Sequence, residues 1–235
     1  MPLQNIESRR LYRQIADQLR KLIAAGEFPA GERLPAERDL AQQLRVSRPS
    51  VREALIALEV EGLVEIRGGS GVYVRRKLNG ARPAPDSEWG PLELIRARAL
   101  IEREVAAQAA RLATRRHIAA IAETLTAMEA AAAAGNAPLD GDRAFHVAIA
   151  EAAGNGVLVD LVHRFWDARD GKLFRQLGNH FESPRSWQAA IEEHRAVLAA
   201  IRKHDADGAR QAMQHHMDRA HARFSASWRR ARRAD

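Results

Sequence analysis

A chain of 235 residues with a formal net charge of +7 has the length for two domains, each with its own core. That charge permits a polyanionic partner without requiring one, because arginine-rich proteins are often basic for other reasons. The absence of cysteine excludes disulfides, thiolate ligands and a thiol nucleophile; no apolar run reaches about 18 residues and the N-terminus lacks a signal-peptide core, so a soluble cytoplasmic protein with no membrane partner is expected.

In chain order, Leu11, Ile15, Leu19, Leu22 and Ile23 share one face and predict an amphipathic helix over residues 11–25, ending near Gly26. A connection with Pro29 and Gly31 follows. Residues 34–74 then read LPAERDLAQQLRVSRPSVREALIALEVEGLVEIRGGSGVYV. Pro35 suits the first turn of a short helix whose apolar face is Leu40, Ala41 and Leu44. Arg45-Val46 is a turn, Ser47 an N-cap, and Pro49 lies inside the first turn of the next helix. In that helix Val51, Ala54, Leu55 and Leu58 point inward, while Arg48 and Arg52, four residues apart, project together. Gly62 ends it. Two β-rich runs, 63–66 and 72–74, flank the tip Gly68-Gly69-Ser70-Gly71. Helix, turn, helix and hairpin make a winged helix-turn-helix, which places a helix in the DNA major groove. Two arginines alone would also fit a solvated basic face; the cap, the glycine-rich wing and the preceding helix favour DNA.

Arg75-Arg76-Lys77 closes this domain (residues 1–77) and could touch phosphates or simply end a solvated strand. Proline and glycine in NGARPAPDSEWG mark a linker over 78–90. From Pro91 the pattern is helical throughout: 92–113, 114–134, 142–153, 157–177, 184–203 and 207–228, with short breaks between. The expected fold is therefore mainly α, a winged helix-turn-helix followed by a C-terminal antiparallel helical bundle (91–228), with a basic tail at 229–235.

Within the bundle, Asp142 and His146 are i and i+4 and leave one helix on the same face. His194 and His216 lie on two other helices. One carboxylate and three imidazoles suit a divalent ion such as zinc, nickel, manganese or iron, with coordination positions left for a ligand. By spacing alone the histidines could equally be surface or satisfied core groups, since nine histidines offer many accidental combinations.

The motifs also carry a resemblance. PAERDLA, VSRPSVREAL, LEVEGLVEIR and GSGVYV resemble the DNA-binding domain of the GntR family of bacterial transcription regulators. ARALIE, DRAFHVAIAEAAGN, EEHRAVLAAI and ARQAMQHHM resemble the helical effector domain of its FadR-like branch. The resemblance implies DNA contacts from Arg38, Arg48 and Arg52, with Gly69 at the wing tip reaching the minor groove. Gly68 replaces a histidine found in some relatives, so any contact there is left to the backbone. It further implies one divalent metal ion per chain, held by Asp142, His146, His194 and His216 at the floor of a ligand cavity. His215 is adjacent, but the motif selects His216. Arg98, in an R-xxx-E pattern with Glu102, would capture an effector carboxylate or else form an intrahelical ion pair. Asn155 would cap the following helix or face the cavity. Trp166 and Arg169, in FWDAR, resemble a segment of hexuronate-responsive members; Arg169 would add a second contact to an effector anion, and Trp166 is alternatively a core residue.

The function implied is a homodimeric, ligand-responsive regulator on a palindromic operator in double-stranded DNA, sensing a small carboxylate such as a sugar acid. Repression relieved by ligand is the commoner sense in such regulators. Two rivals stand beside it. A metal-dependent hydrolase is suggested by the Asp/His set and by the doublet His204-Asp205, which lacks a second set of suitably spaced ligands. A ligand-independent DNA-binding protein with a merely dimerising bundle is the other.

Overall fold

A computed structural model describes residues 10–75 and 89–226. The basic tail and all of the linker except Trp89 and Gly90 lie outside the described residues, as do Arg76 and Lys77. The N-terminal unit comprises α1 (Leu11–Ala24), α2 (Glu37–Leu44), α3 (Arg48–Val60), β1 (Val64–Arg67) and β2 (Gly71–Val74). Its local signals act as their chemistry dictates. The Ser47 hydroxyl accepts from Ser50 N at the start of α3, and Arg45 takes the left-handed conformation (φ 54°) that turns the chain from α2 toward α3. Pro35 falls outside α2: Ala36 is extended and caps the helix at Glu37. The antiparallel wing pairs Val64 with Val74 and Arg67 with Gly71, and Gly69 adopts φ 76° at its tip. Ile15 and Leu19 of α1, Leu55 and Leu58 of α3, and Val64 and Val72 of the wing are all buried in the core, where α1 packs on α3 and α3 on β1.

The C-terminal unit is α4 (Pro91–Leu112), α5 (Arg115–Ala133), α6 (Leu139–Ala152), α7 (Gly156–Arg169), α8 (Lys172–Phe181), α9 (Pro184–Arg202) and α10 (Ala206–Ser225). α4 is central: Ala106, Ala109 and Ala110 have no exposed surface, and their small side chains let α10 approach closely. The expected single helix over 157–177 is two helices. Asp170 ends α7, Gly171 caps α8, and the chain turns so that Leu173, Phe174 and Leu177 enter the core from a new direction.

The units meet through α3. Glu53 Oε1 accepts from Leu92 N (2.7 Å) and Glu93 N (3.1 Å), capping α4 from the neighbouring domain; burial pushes its carboxyl up to about 7 despite those two bonds. Glu59 contacts His180 Nε2 (2.6 Å) and accepts from Gln176 Nε2 (2.9 Å), both on α8.

Candidate functional site

The face opposite the core of the winged helix presents Arg38 and Arg48, with side-chain exposures of 83% and 53%. Both line a groove of about 340 Å³ together with Arg33, Gly69 and Ser70, so the start of α3 and the wing tip share one open, cationic surface. Arg52 is elsewhere. It is 1% exposed; Nε and Nη2 donate to the Glu37 carboxylate at 2.8 and 2.7 Å, and Nη1 donates to the Phe224 carbonyl of α10 at 3.0 Å. Its guanidinium also lies 5.3 Å from the centre of the Phe181 ring. In this arrangement Arg52 faces the effector bundle rather than the groove shared by Arg38, Arg48 and Gly69.

Three helices of the bundle bring Asp142, His146, His194 and His216 together, one donor atom from each lying within 4.8 Å of the others. His194 Nε2 is 3.3 Å from His146 Nε2, and each of these is 3.4 Å from Asp142 Oδ1. A tetrahedral ion with bonds of about 2.1 Å has ligand edges of about 3.4 Å, so this triangle has the dimensions of one coordination face. Two of the outward nitrogens face carboxylates, His146 Nδ1 meeting Glu102 and His216 Nδ1 meeting Glu193 at 2.9 Å, whereas His194 Nδ1 is buried with no hydrogen-bond partner among the described residues. Carboxylates in those places fix the tautomer that turns Nε2 inward. Asp142 Oδ1 is buried without a hydrogen-bond partner among the described residues, an oxygen available to a cation.

The electrostatics agree with that geometry. Burial lowers the His194 pKa well below the usual imidazole value, helped by His216, and burial likewise lowers His216. Burial would lower His146 too, but the Glu102 and Asp142 carboxylates outweigh it and raise its pKa. Against the effect of burial, Arg98 and His146 bring Glu102 down to about 2, and Arg169 with the histidines holds Asp142 well below the usual range.

Beside the cluster lies a cavity of about 60 Å³ lined by Arg98, Asp142, Arg169, Glu182, Trp187 and His216, among others. Arg98 forms the intrahelical ion pair, its Nε donating to Glu102 at 2.6 Å, and its side chain also lines the cavity. Arg169 donates to Asp142 (2.6 Å) and Glu182 (3.3 Å). Both guanidinium carbons sit 4.6 Å from the Trp166 ring, which is buried and positions the two arginines. Arg169, Glu182 and Trp187 also line an outer groove of about 740 Å³, so they form the wall between groove and cavity. Asn155 belongs elsewhere: it is exposed and caps α7, accepting from Val157 N at 3.0 Å. His215 is exposed while His216 is buried. His204-Asp205 is a helix junction, His204 with φ 54° and Asp205 accepting from Gly208 N.

The sequence reading gave no role to Glu182, Glu193 or Arg223. Charged residues on amphipathic helices ordinarily read as solvated, and nothing local distinguishes these three.

A winged helix-turn-helix joined to a helical domain with a polar cavity defines a transcription regulator with an effector-binding domain. The chain belongs to the GntR family of bacterial regulators, in its FCD branch: residues 11–74 match "Bacterial regulatory proteins, gntR family", and residues 93–219 match the FCD domain. It is 38% identical to the Uxu operon transcriptional regulator of Escherichia coli (strain K12), covering 92% of this chain and 88% of that one. Identity to the Exu regulon transcriptional regulator of the same strain is 36%, over 90% and 83%. Among solved structures, E. coli McbR/YncC superposes with a TM-score of 0.51 at 23% identity, covering 92% of this chain and 97% of that one, a likeness of fold. Members of the family are regulators and not enzymes, and no helix among the described residues is long and apolar enough to cross a membrane.

Proposed function

We propose that this regulator binds a palindromic operator as a homodimer and releases it when a sugar acid occupies the cavity beside a divalent metal ion. The observation that carries the reading is the convergence of Asp142, His146, His194 and His216 next to Arg98 and Arg169. The residues fit a metal: they present a coordination face of the right size, an orphaned buried oxygen and two imidazoles oriented by carboxylates. Bound there, a divalent ion supplies an electrophilic anchor for an anionic ligand. Arg98 and Arg169, stacked on Trp166, orient the carboxylate, and the apolar Phe174 and Phe181 limit water. The FWDAR segment and the names of the Uxu and Exu relatives support a hexuronate as the ligand.

The route from ligand to DNA is short. Glu182, paired with Arg169, directly follows Phe181, whose ring faces Arg52 of α3. Phe224 lines the cavity and its carbonyl holds the same arginine. A ligand that takes Arg169 from Glu182 therefore acts on residues adjoining the contact between the bundle and α3. Its effect cannot exceed its difference in affinity between the two arrangements.

The test is selection of bound fragments from a random DNA pool, followed by anisotropy titration with and without D-glucuronate or D-galacturonate. A palindrome released by either acid is expected; an asymmetric site, or none, would overturn the dimer reading, and affinity indifferent to every sugar acid would overturn the effector. On the selected site Arg48→Ala should cost about 1–3 kcal/mol if it makes a bidentate base contact. Because that side chain is half exposed, its loss should change folding stability by less than about 0.5 kcal/mol.

The carboxylate behind His146 gives a separate check. Glu102→Gln should weaken metal binding about 10–100-fold, measured by competition with a chromogenic chelator. Unchanged affinity would mean that Glu102 serves only its pair with Arg98.

A further inference from the structure

Sugar acids carry one carboxylate or two, and the groups around the cavity bear on which of these it accepts. Three guanidinium groups enclose it: Arg98, Arg169 and Arg223. Their partners are four carboxylates. Arg98 pairs with Glu102, Arg169 with Asp142 and Glu182, and Arg223 with Glu193 at 2.7 Å. Arg219 reaches Glu193 only at 3.8 Å and is 58% exposed, so water screens it. With neutral imidazoles, three positive and four negative groups leave a charge of −1. A divalent ion makes it +1. One ligand carboxylate then brings the buried set to neutrality, whereas two leave an uncompensated negative charge where charges are poorly screened.

Glu182 differs from the other three carboxylates. Asp142 offers an oxygen to the ion, Glu102 orients His146, and Glu193 orients His216. Among the described residues Glu182 pairs with none of the metal donors or their imidazoles, and its ion pair there is the 3.3 Å contact to Arg169. It is 19% exposed at the side chain and stands in the wall between cavity and groove. Once a ligand carboxylate occupies Arg169, Glu182 needs a hydrogen-bond donor, which a hydroxyl supplies and a carboxylate does not. Trp187 lines the same wall, and its buried indole N–H has no partner among the described residues, a donor for a ligand oxygen.

We infer that the cavity is charge-matched to a hydroxylated monocarboxylate, and that Glu182 sets the match by accepting a ligand hydroxyl and repelling a second carboxylate. The inference rests on the metal and sugar-acid reading above and adds to it a specificity residue.

The experiment is titration calorimetry of the zinc-loaded full-length chain with two matched pairs, D-glucuronate against D-glucarate and D-galacturonate against galactarate. The members of each pair share a carbon skeleton, the second carrying a carboxylate at the other end. Wild type should bind the monoacid about tenfold or more tightly than its diacid. Glu182→Gln should shrink that ratio about tenfold through tighter diacid binding, and Glu182→Asp should keep it. A wild-type preference for the diacid would overturn the charge match without recourse to any variant. A normal wild-type preference that persists in Glu182→Gln, with zinc content and melting temperature unchanged, would remove Glu182 from the role. Binding of none of the four acids would instead overturn the sugar-acid reading, and the inference with it.

Discussion

Chelation should lower the melting temperature of the wild-type protein, and His194→Ala should remove both the retained ion and the sensitivity to chelator. His194 has no exposed surface, and its Nε2 is a corner of the 3.3–3.4 Å triangle with His146 and Asp142. Alanine there deletes a ligand from a site whose other donors come from two further helices, α6 and α10. An ion present at 100 times its dissociation constant adds about 2.7 kcal/mol to stability when it binds only the folded state. Elemental analysis should find about one divalent ion per wild-type chain. Occupancy should fall with pH, since protons compete for the same nitrogens. His146, whose pKa is raised by its carboxylate neighbours, takes the first competing proton, whereas burial keeps His194 and His216 neutral to lower pH. The loss should therefore be under way as the pH falls through about 6.5. A wild-type protein indifferent to chelator and free of metal after growth in metal-replete medium would leave these histidines as a buried polar cluster.

Arg52→Ala should destabilise the fold by about 3–5 kcal/mol, the range for breaking a buried ion pair by removing one partner. The bidentate bonds at 2.7 and 2.8 Å join α3 to Glu37 at the start of α2, and Glu37 is itself 8% exposed. Truncation leaves that carboxylate in the core with Arg48 at 3.6 Å as a distant substitute, and it frees the Phe224 carbonyl on α10. Urea denaturation measures the effect, with Arg48→Ala as the exposed control from the same helix. Replacing Arg52 and Glu37 together by apolar residues of similar volume should recover much of the loss, because neither charge is then stranded. A denaturation midpoint for Arg52→Ala equal to that of wild type would show the pair to be energetically silent. The expected result also bears on DNA binding: weakened operator affinity in an Arg52 variant reports loss of fold as readily as loss of a base contact, and Arg48 is the cleaner probe.

Much of the N-terminal unit was legible because its signals are local. Ser47 caps a helix through an atom three residues away, glycines permit the wing's turn, and the spacing of Val51, Ala54, Leu55 and Leu58 gives a buried face without reference to any other element. The same periodicity exposed most of the bundle's helices. It missed the break at Asp170-Gly171 because a glycine inside a helix costs only about 1 kcal/mol and apolar residues continue beyond it. Asp142 and His146 could be placed on one face by i,i+4 geometry. That His194 and His216 join them, and that the exposed His215 does not, depends on how α9 and α10 pack, so only the family motifs had marked those two among nine histidines. Asn155 went to a cap, the local bond winning over any reach toward the cavity. The placement of Arg52 lay furthest from sequence reasoning. Its helix position groups it with Arg48, yet a carboxylate 15 residues before it and a carbonyl 172 residues after it turn the side chain inward. Glu182 is the same kind of case. Read alone it is a charged residue at a helix end, and its place in the cavity wall depends on where α8, which starts only after the break at Asp170-Gly171, packs. Helical and strand periods are properties of a few consecutive residues, whereas the partners of a buried charge are chosen by the packing of distant segments.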